Sequence, residues 1–348
     1  MTFSIVIATY NRAAVLRDTL ASLARLTTAG PWEVVVVDNN SPDDTRQVVE
    51  AAIATFPVPL RYAFEREQGR SAALNHGFRV ATGDIIVTTD DDVRVEPGWL
   101  NAIETSLETL RCDYVGGRVT PIFEEPSLPN WFPPHSGLLW GVIALLDYGP
   151  KPLKFGTRVP LGVNMAMRRQ AIERAGGFDP TIGRKAGTLL GQEVREWCLR
   201  AHAAGLVGYY SPDIVVQHLI PADRLTKKYF RRWFYWRGIS RAMLYADTGL
   251  DMEKPEQSSI DFTTVRHIGG VPRYLFRSAL TAARDALAAV MRGDPVTAFD
   301  REMWLWTFAG IVRQRWIDRR RPIGLARAQR AAAIKETKGL SAEGAASG

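Results

Sequence analysis

Strand-like and helix-like segments alternate along the first two-thirds of this chain, and that rhythm constrains its fold more than any other feature. Phe3–Ala8, Glu33–Val37, Leu60–Phe64 and Ile85–Thr89 are short runs rich in β-branched and aromatic residues, the composition of strands. Between them, Ala13–Leu26 places Leu16, Leu20 and Leu23 on one helical face, and Ser71–Ala81 is a second helical stretch. Ser41 is placed to cap a further helix, with Pro42 at its first position and Asp43 and Asp44 in its first turn, where acids suit the helix dipole. The unbroken Val34–Val37 is the pattern of a strand buried on both faces. Together these signals predict an α/β fold with a mostly parallel central sheet flanked by helices. Further strands are expected at Tyr114–Val119, Pro160–Met167, Val207–Ser211 and Ile214–His218.

The fourth run ends in three consecutive acids, Asp90, Asp91 and Asp92. Open α/β sheets bind ligands outside the C-terminal ends of their strands, so these carboxylates fall where chemistry is expected. Three adjacent like charges repel, and a divalent cation with oxygen ligands, Mg²⁺ or Mn²⁺, is the simplest compensator. A solvated acidic turn is the bland alternative.

The chain has 348 residues, enough for one large domain with an extension or for two domains. With 46% apolar and 23% charged residues it has the composition of a soluble enzyme. With two cysteines, Cys112 and Cys198, no disulfide framework is expected, and a reducing cytoplasm suits the chain. Met1-Thr2-Phe3-Ser4 runs straight into a strand pattern with no basic leader, so no signal peptide is expected. The longest apolar stretches, around Gly137–Leu146 and Met303–Val312, fall short of the about 20 residues a membrane span needs.

Charge divides the chain. Residues 1–223 hold 21 Lys/Arg against 25 Asp/Glu, whereas residues 224–330 hold 21 against 10. An acidic front and a basic back imply two jobs on one chain. The back carries helical patterns at Leu225–Ala246, Val271–Met291 and Pro295–Arg320. Tyr229–Arg237 interleaves aromatics with arginines, and Trp304, Trp306, Arg313, Arg315, Trp316 and Arg319–Arg321 repeat the theme. Such helices suit an anionic membrane surface; packing on a catalytic core with solvated arginines is the alternative. Nucleic acid is not expected as a partner. Residues 121–157, rich in proline, predict a long loop, and Ser341–Gly348 a disordered tail.

Several blocks occur together in order: Ser4–Arg12, Val37–Ser41, Gly69 through Asn75-His76-Gly77, Gly83-Asp84, Asp90–Asp92 with Pro97-Gly98-Trp99, Gly162-Val163-Asn164, Gly176–Asp179, Gly191-Gln192-Glu193 and His218. In this order they resemble an inverting family 2 glycosyltransferase of GT-A (Rossmann-like) fold over roughly residues 3–220. The resemblance implies a catalytic domain at 1–222, and the charge and helical patterns add a helical acceptor or membrane-side extension at 223–330 and a tail at 331–348. It implies a nucleotide-sugar donor, UDP-linked by preference, and transfer of a single sugar to a glycan or lipid-linked acceptor in cell-surface polysaccharide or glycolipid synthesis. The expected place is the cytoplasm, or the cytoplasmic face of the inner membrane.

Residue by residue, the resemblance assigns donor contacts to Thr9, Tyr10, Asn11, Arg12, Asp38, Asn39, Arg70, Asn75, Asp90 and Asp91. It assigns metal contacts to Asp90, Asp92 and His218, and the acceptor side to Gly162, Asn164, Gln192, Glu196 and Trp233. Glu193 takes the place of the general base, with Glu196 as the alternative. Two departures stand out: Asp38-Asn39 where many relatives have two acids, and Gln192-Glu193 where the family has Glu-Asp. Arg231-Arg232-Trp233 resembles the Gln-x-x-Arg-Trp motif of processive relatives but lacks its Gln. A sugar-nucleotide pyrophosphorylase and a catalytically degenerate donor-binding subunit are the competing readings. The first would require a Gly-rich basic loop that Thr9–Arg12 does not supply.

Overall fold

In the computed structural model, residues 1–320 are described apart from 29, 125–127, 133–140, 249, 252–259 and 262–263. Contacts divide the chain into one unit at Met1–Phe230 and a second beginning at Arg231. The predicted tail at 331–348 lies outside the described residues.

The first unit is built in chain order from β1 (Phe3–Thr9), α1 (Ala13–Leu23), β2 (Trp32–Asp38), α2 (Thr45–Ile53), β3 (Leu60–Phe64), α3 (Arg70–Val80), β4 (Ile85–Thr89), β5 (Val93–Val95), α4 (Trp99–Thr109), β6 (Tyr114–Phe123), β7 (Leu153–Lys154), β8 (Met165–Arg168), α5 (Arg169–Ala175), α6 (Glu193–Ala203) and β9 (Gly208–Ile220). One sheet runs β3-β2-β1-β4-β8-β6-β9-β5, with β7 paired to β9. The strands β3, β2, β1 and β4 are parallel neighbours, and β8 enters antiparallel between β4 and β6.

The apolar runs are continuous because both faces are covered. Ile5, Ile7, Val34, Val36, Ile85 and Val87 enter one core, while Val6, Val35, Val37 and Ile86 enter the other. Successive strand side chains point to opposite faces, so each run supplies both cores. Parallel pairing in register brings Thr9 beside Asp38 and Ile7 beside Thr89. The C-terminal ends of β1, β2 and β4 therefore open onto one edge. From the far side, β9 runs antiparallel to β5 with His218 opposite Val93, which delivers the imidazole next to Asp92.

Several boundaries differ from the sequence reading. The second helix starts at Thr45, with no capping by Ser41. The Ser41 hydroxyl accepts from Asn11 N at 2.9 Å, and the Asp43 carboxylate accepts from Ala13 N at 3.0 Å and Thr45 N at 3.2 Å. Ser41 thus serves the β1–α1 turn, while Asp43 divides between that turn and the start of the helix. The strand expected from Pro160 begins only at Met165, because Leu161–Asn164 closes a turn through Asn164 N to Leu161 O at 3.0 Å. The two strands expected around 207–218 are one, with the ladder slipping between Gly117 and Arg118. The expected loop at 121–157 opens with three residues of β6, and Gly141–Ile143 forms a 3-10 turn.

The second unit contains most of α7 (Lys227–Thr248), then α8 (Arg273–Met291) and α9 (Pro295–Ile317). Asp294 caps α9 by accepting from Thr297 N at 2.9 Å, with Pro295 at the first helical position. A Cβ on Gly238 of α7 would meet Thr307 O at 2.0 Å, and one on Gly310 of α9 would meet Tyr235 O at 2.0 Å. The two helices therefore cross backbone to backbone, a contact only glycine permits. A small core of Ala242, Tyr245, Val271, Leu275 and Ile311 sits among the three helices. No described helix is long and apolar enough to cross a membrane.

Candidate active site

A cleft of about 330 Å³ opens at the strand ends of the first unit, lined by Thr9, Tyr10, Arg12, Gln68, Arg70, the Asp90–Asp92 triplet, the 184–188 loop, His218 and Arg224. Its floor is the acidic triplet, and each acid has a different environment. Asp90 is partly buried and gripped by Arg70, whose Nη2 and Nε lie 2.6 and 3.2 Å from Oδ1. Asp91 is buried and accepts from the Thr9 hydroxyl at 2.7 Å and from Arg12 Nη1 at 2.6 Å. Asp92 is 1% exposed and receives the same Arg12 Nη1 at 2.8 Å, with Arg224 Nη2 at 3.6 Å.

Burial and charge act in opposite directions here. Burial drives the Asp91 carboxyl above its ordinary range, and Arg12 counteracts that only in part while Asp92 adds to it. Burial would also raise Asp92, but His218, Arg12 and Arg224 together hold it well below the usual carboxylate range. Three arginines thus neutralise the triplet from different sides, which is how the chain tolerates adjacent buried acids.

One oxygen is left over. His218 Nε2 sits 3.1 Å from Asp92 Oδ1, yet that oxygen and the His218 Nδ1 are both buried without a hydrogen-bond partner. Donor atoms of Asp90, Asp92 and His218 lie within 4.8 Å of one another. Two carboxylates and an imidazole around an unsatisfied oxygen fit a divalent ion such as Mn²⁺ or Mg²⁺.

Arg70 links this cluster to the residue assigned as base. Its Nη1 lies 3.2 Å from Oε1 of Glu193, the first residue of α6. The guanidinium is buried against Gly162, where a Cβ would meet Nη1 at 3.0 Å and Nη2 at 3.1 Å. Gly162 therefore makes room for Arg70.

Other assigned residues are used differently. Asp38 accepts from Ser41 N at 2.9 Å and the Tyr62 hydroxyl at 2.8 Å, so its carboxylate is committed to the loop. Burial and Asp38 push the Tyr62 phenol up to about 12. Asn39 borders the cleft, but its amide donates to Glu65 O at 3.2 Å and Glu67 O at 2.6 Å while its oxygen accepts from Gly69 N at 2.8 Å. Asn11 takes a left-handed φ of 55° between Tyr10 and Arg12, which both line the cleft.

Asn75 is not brought to the cleft. It exchanges hydrogen bonds with the Phe178 backbone, 2.7 Å to O and 2.8 Å from N. Asn164 is buried and satisfied by Trp99 Nε1, Arg118 O and Ile214 O. Glu196 is held by Arg200 through two contacts of 2.7 Å. Gln192 caps α6 through its backbone carbonyl, which accepts from Glu196 N at 2.9 Å. Trp233 belongs to the second unit, half-buried beside Phe234 with Arg237 over its ring.

Three cleft elements were missed by sequence reasoning: Gln68, the loop Arg184–Thr188 and Arg224. The loop is tied to α3, since Arg184 O accepts from Arg70 N at 2.8 Å, and closed by Thr188 Oγ1 to Lys185 O at 2.9 Å. Its signal was present as adjacent Arg184-Lys185 between Gly183 and Gly187, shortly before the Gln192-Glu193 block.

Residues 4–176 match the family model described as glycosyl transferase family 2. Among curated proteins, validoxylamine A glucosyltransferase of Streptomyces hygroscopicus subsp. jinggangensis is 34% identical over 145 residues, 39% of this chain and 34% of its own length. Glucosyl-dolichyl phosphate glucuronosyltransferase of Haloferax volcanii is 24% identical over 70% of this chain and 77% of its own. The succinoglycan biosynthesis protein ExoM of Rhizobium meliloti is 24% identical over 84% and 90%. The chain thus spans about a third of the first and most of the other two. Of solved structures, a mannosyltransferase of Pyrobaculum calidifontis in complex with GDP-Man and Mn²⁺ superposes with a TM-score of 0.58 at 18% identity, covering 90% of this chain and 87% of that one. S. aureus TarS 1-349 in complex with UDP-GlcNAc gives 0.53 at 16% identity, covering 87% and 90%.

Proposed function

Through residues 4–176 the chain belongs to glycosyltransferase family 2, with the GT-A fold, and from that premise we propose an inverting, metal-dependent transferase. It moves one sugar from a nucleoside diphosphate, UDP by preference, to a hydroxyl of a glycan or lipid-linked acceptor. The observation that carries this reading is the Asp90, Asp92 and His218 cluster, joined through Arg70 to Glu193. A divalent ion held by those three side chains would neutralise the charge that builds on the leaving diphosphate.

The chain's own groups do the rest. Glu193 removes the proton of the acceptor hydroxyl as that oxygen attacks the anomeric carbon opposite the diphosphate, which inverts the centre. Arg70, 3.2 Å from Glu193 Oε1, fixes where that carboxylate points. Arg184 and Lys185 border the cleft as cations for phosphate oxygens, beside Arg12, which also bridges Asp91 and Asp92. Tyr10, 39% exposed at the rim, offers a ring face to the base.

The GDP-Man, Mn²⁺ and UDP-GlcNAc named for the structural neighbours support a nucleotide-sugar donor and a metal. The names of the archaeal dolichyl phosphate enzyme and of ExoM support a lipid-linked or polysaccharide acceptor. In this reading residues 1–222, together with Arg224 beside Asp92, carry the chemistry, and the rest of residues 223–330, including Trp233, serve the acceptor at the cytoplasmic face of the inner membrane. The test is a thermal-shift screen of nucleotide sugars with Mn²⁺ or Mg²⁺, followed by release of nucleoside diphosphate. A donor that raises the melting temperature only with metal, and is then turned over, is the expected result. No donor turned over with either ion overturns the reading.

A further inference from the structure

The solvent face of α8 is unusual. Arg273, Arg277, Leu280, Arg284, Leu287 and Met291 recur at spacings of three, four and seven, so they form one stripe. All six are exposed, with Leu280 at 73%, Leu287 at 62% and Met291 at 78%, and Val290 beside them at 63%. The opposite stripe, Leu275, Ala279, Ala282 and Ala289, is buried. Isolated exposed leucines are ordinary, but a row along about 27 Å of helix is a surface that seeks a partner.

The row continues into a groove of about 670 Å³ at its N-terminal end, where Arg266, Arg273 and Arg277 surround Ile268, Phe276 and Leu280. Ile268 is itself 53% exposed. Asp285 is the only acid in α8, and it pairs with Arg284 at 2.8 Å. Arg273 and Arg277 make no ion pair with a described residue. An apolar row flanked by unpaired arginines is complementary to acyl chains below a layer of phosphates. A second copy docked on the same face would crowd six arginines against two acids. The segment 321–348 has five Lys/Arg against two Glu and brings the same sign of charge.

We propose that this face of α8 lies on an anionic lipid bilayer, with Leu280, Leu287 and Met291 in the acyl boundary and the groove arginines on headgroup phosphates. The assignment rests on the reading of a membrane-side acceptor and names the surface that reaches it. The experiment is flotation of the full chain with vesicles of phosphatidylcholine alone and with added phosphatidylglycerol. The wild type is expected to bind the anionic vesicles at least about tenfold better, because each basic residue near such a surface contributes a comparable factor. Binding should weaken with salt.

Leu280→Glu with Leu287→Glu, and separately Arg273→Glu with Arg277→Glu, should each lose about tenfold or more while melting normally, since every changed side chain is exposed. Equal binding to both vesicle types, or retained binding by both variants, overturns the proposal. So does a dimer in light scattering that the leucine pair abolishes, which would assign the face to a second copy. Donor turnover without added lipid should be unchanged in both variants. A chain that turns over donor yet ignores anionic vesicles loses this proposal and keeps the transferase reading.

Discussion

Glu193→Gln tests the assignment of the base with little structural disturbance. The side chain keeps its volume, and Arg70 retains Asp90 through contacts of 2.6 and 3.2 Å. The amide oxygen can still accept from Arg70 Nη1, which now lies 3.2 Å from Glu193 Oε1. What is lost is the difference between a charge-assisted and a neutral hydrogen bond, about 1 kcal/mol of stability. A general base supplies roughly 10²–10⁴-fold, and at about 1.36 kcal/mol per decade that is about 2.7–5.4 kcal/mol of barrier. The variant should therefore bind donor within about threefold of wild type, or roughly 0.7 kcal/mol, and lose kcat by the larger factor. Calorimetry gives the donor Kd, and coupled release of nucleoside diphosphate gives kcat. A kcat within about tenfold of wild type, with donor binding intact, would place the base elsewhere.

Asp92→Ala removes the buried carboxylate beside His218 and should abolish Mn²⁺-dependent donor binding, read as loss of the metal-induced melting shift; EDTA should reproduce the loss in wild type. An unchanged shift in the variant would remove Asp92 from the ligand set. Gly162→Ala places a methyl 3.0 Å from both Arg70 Nη1 and Val194 Cγ2, and displacing the guanidinium should cost about tenfold or more in kcat. Full activity would show that the position of Arg70 is unimportant. Burial pushes the Cys112 thiol up to about 11 and the Cys198 thiol up to about 12, so neither should react with a thiol reagent at pH 8 until denaturant is added. Rapid labelling of the native chain would contradict the burial of both.

Much of the first unit was legible in the residues. The runs at Phe3, Glu33, Leu60 and Ile85 carry their structure in their composition, because a strand covered on both faces has few ways to be written. The triplet at Asp90 was legible for a similar reason, since three adjacent acids, two of them buried, demand compensation. What the sequence hid was long-range partnership. Ser41 has the form of a cap, yet its hydroxyl serves Asn11 thirty residues earlier. Asn75 and Asn164 stand within motifs assigned to ligands, but their amides hold backbone at Phe178 and at Arg118 and Ile214. Glu196 has the chemistry of a base, and its carboxylate pairs with Arg200 one turn on. Arg184 and Lys185 reach the cleft through loop closure and Arg224 through the 3-10 turn after β9, which no local periodicity records.

The Asn39 carboxamide also bears on how this sequence can change. Its nitrogen donates to two carbonyls, at 3.2 and 2.6 Å, so an aspartate there would forfeit both and set a negative charge against them. A second acid beside Asp38 is one substitution away on paper but sits behind an energetic barrier in this chain. Crossing it would require the carbonyls of Glu65 and Glu67 to find other donors, so the amide and the 65–69 turn can change only together.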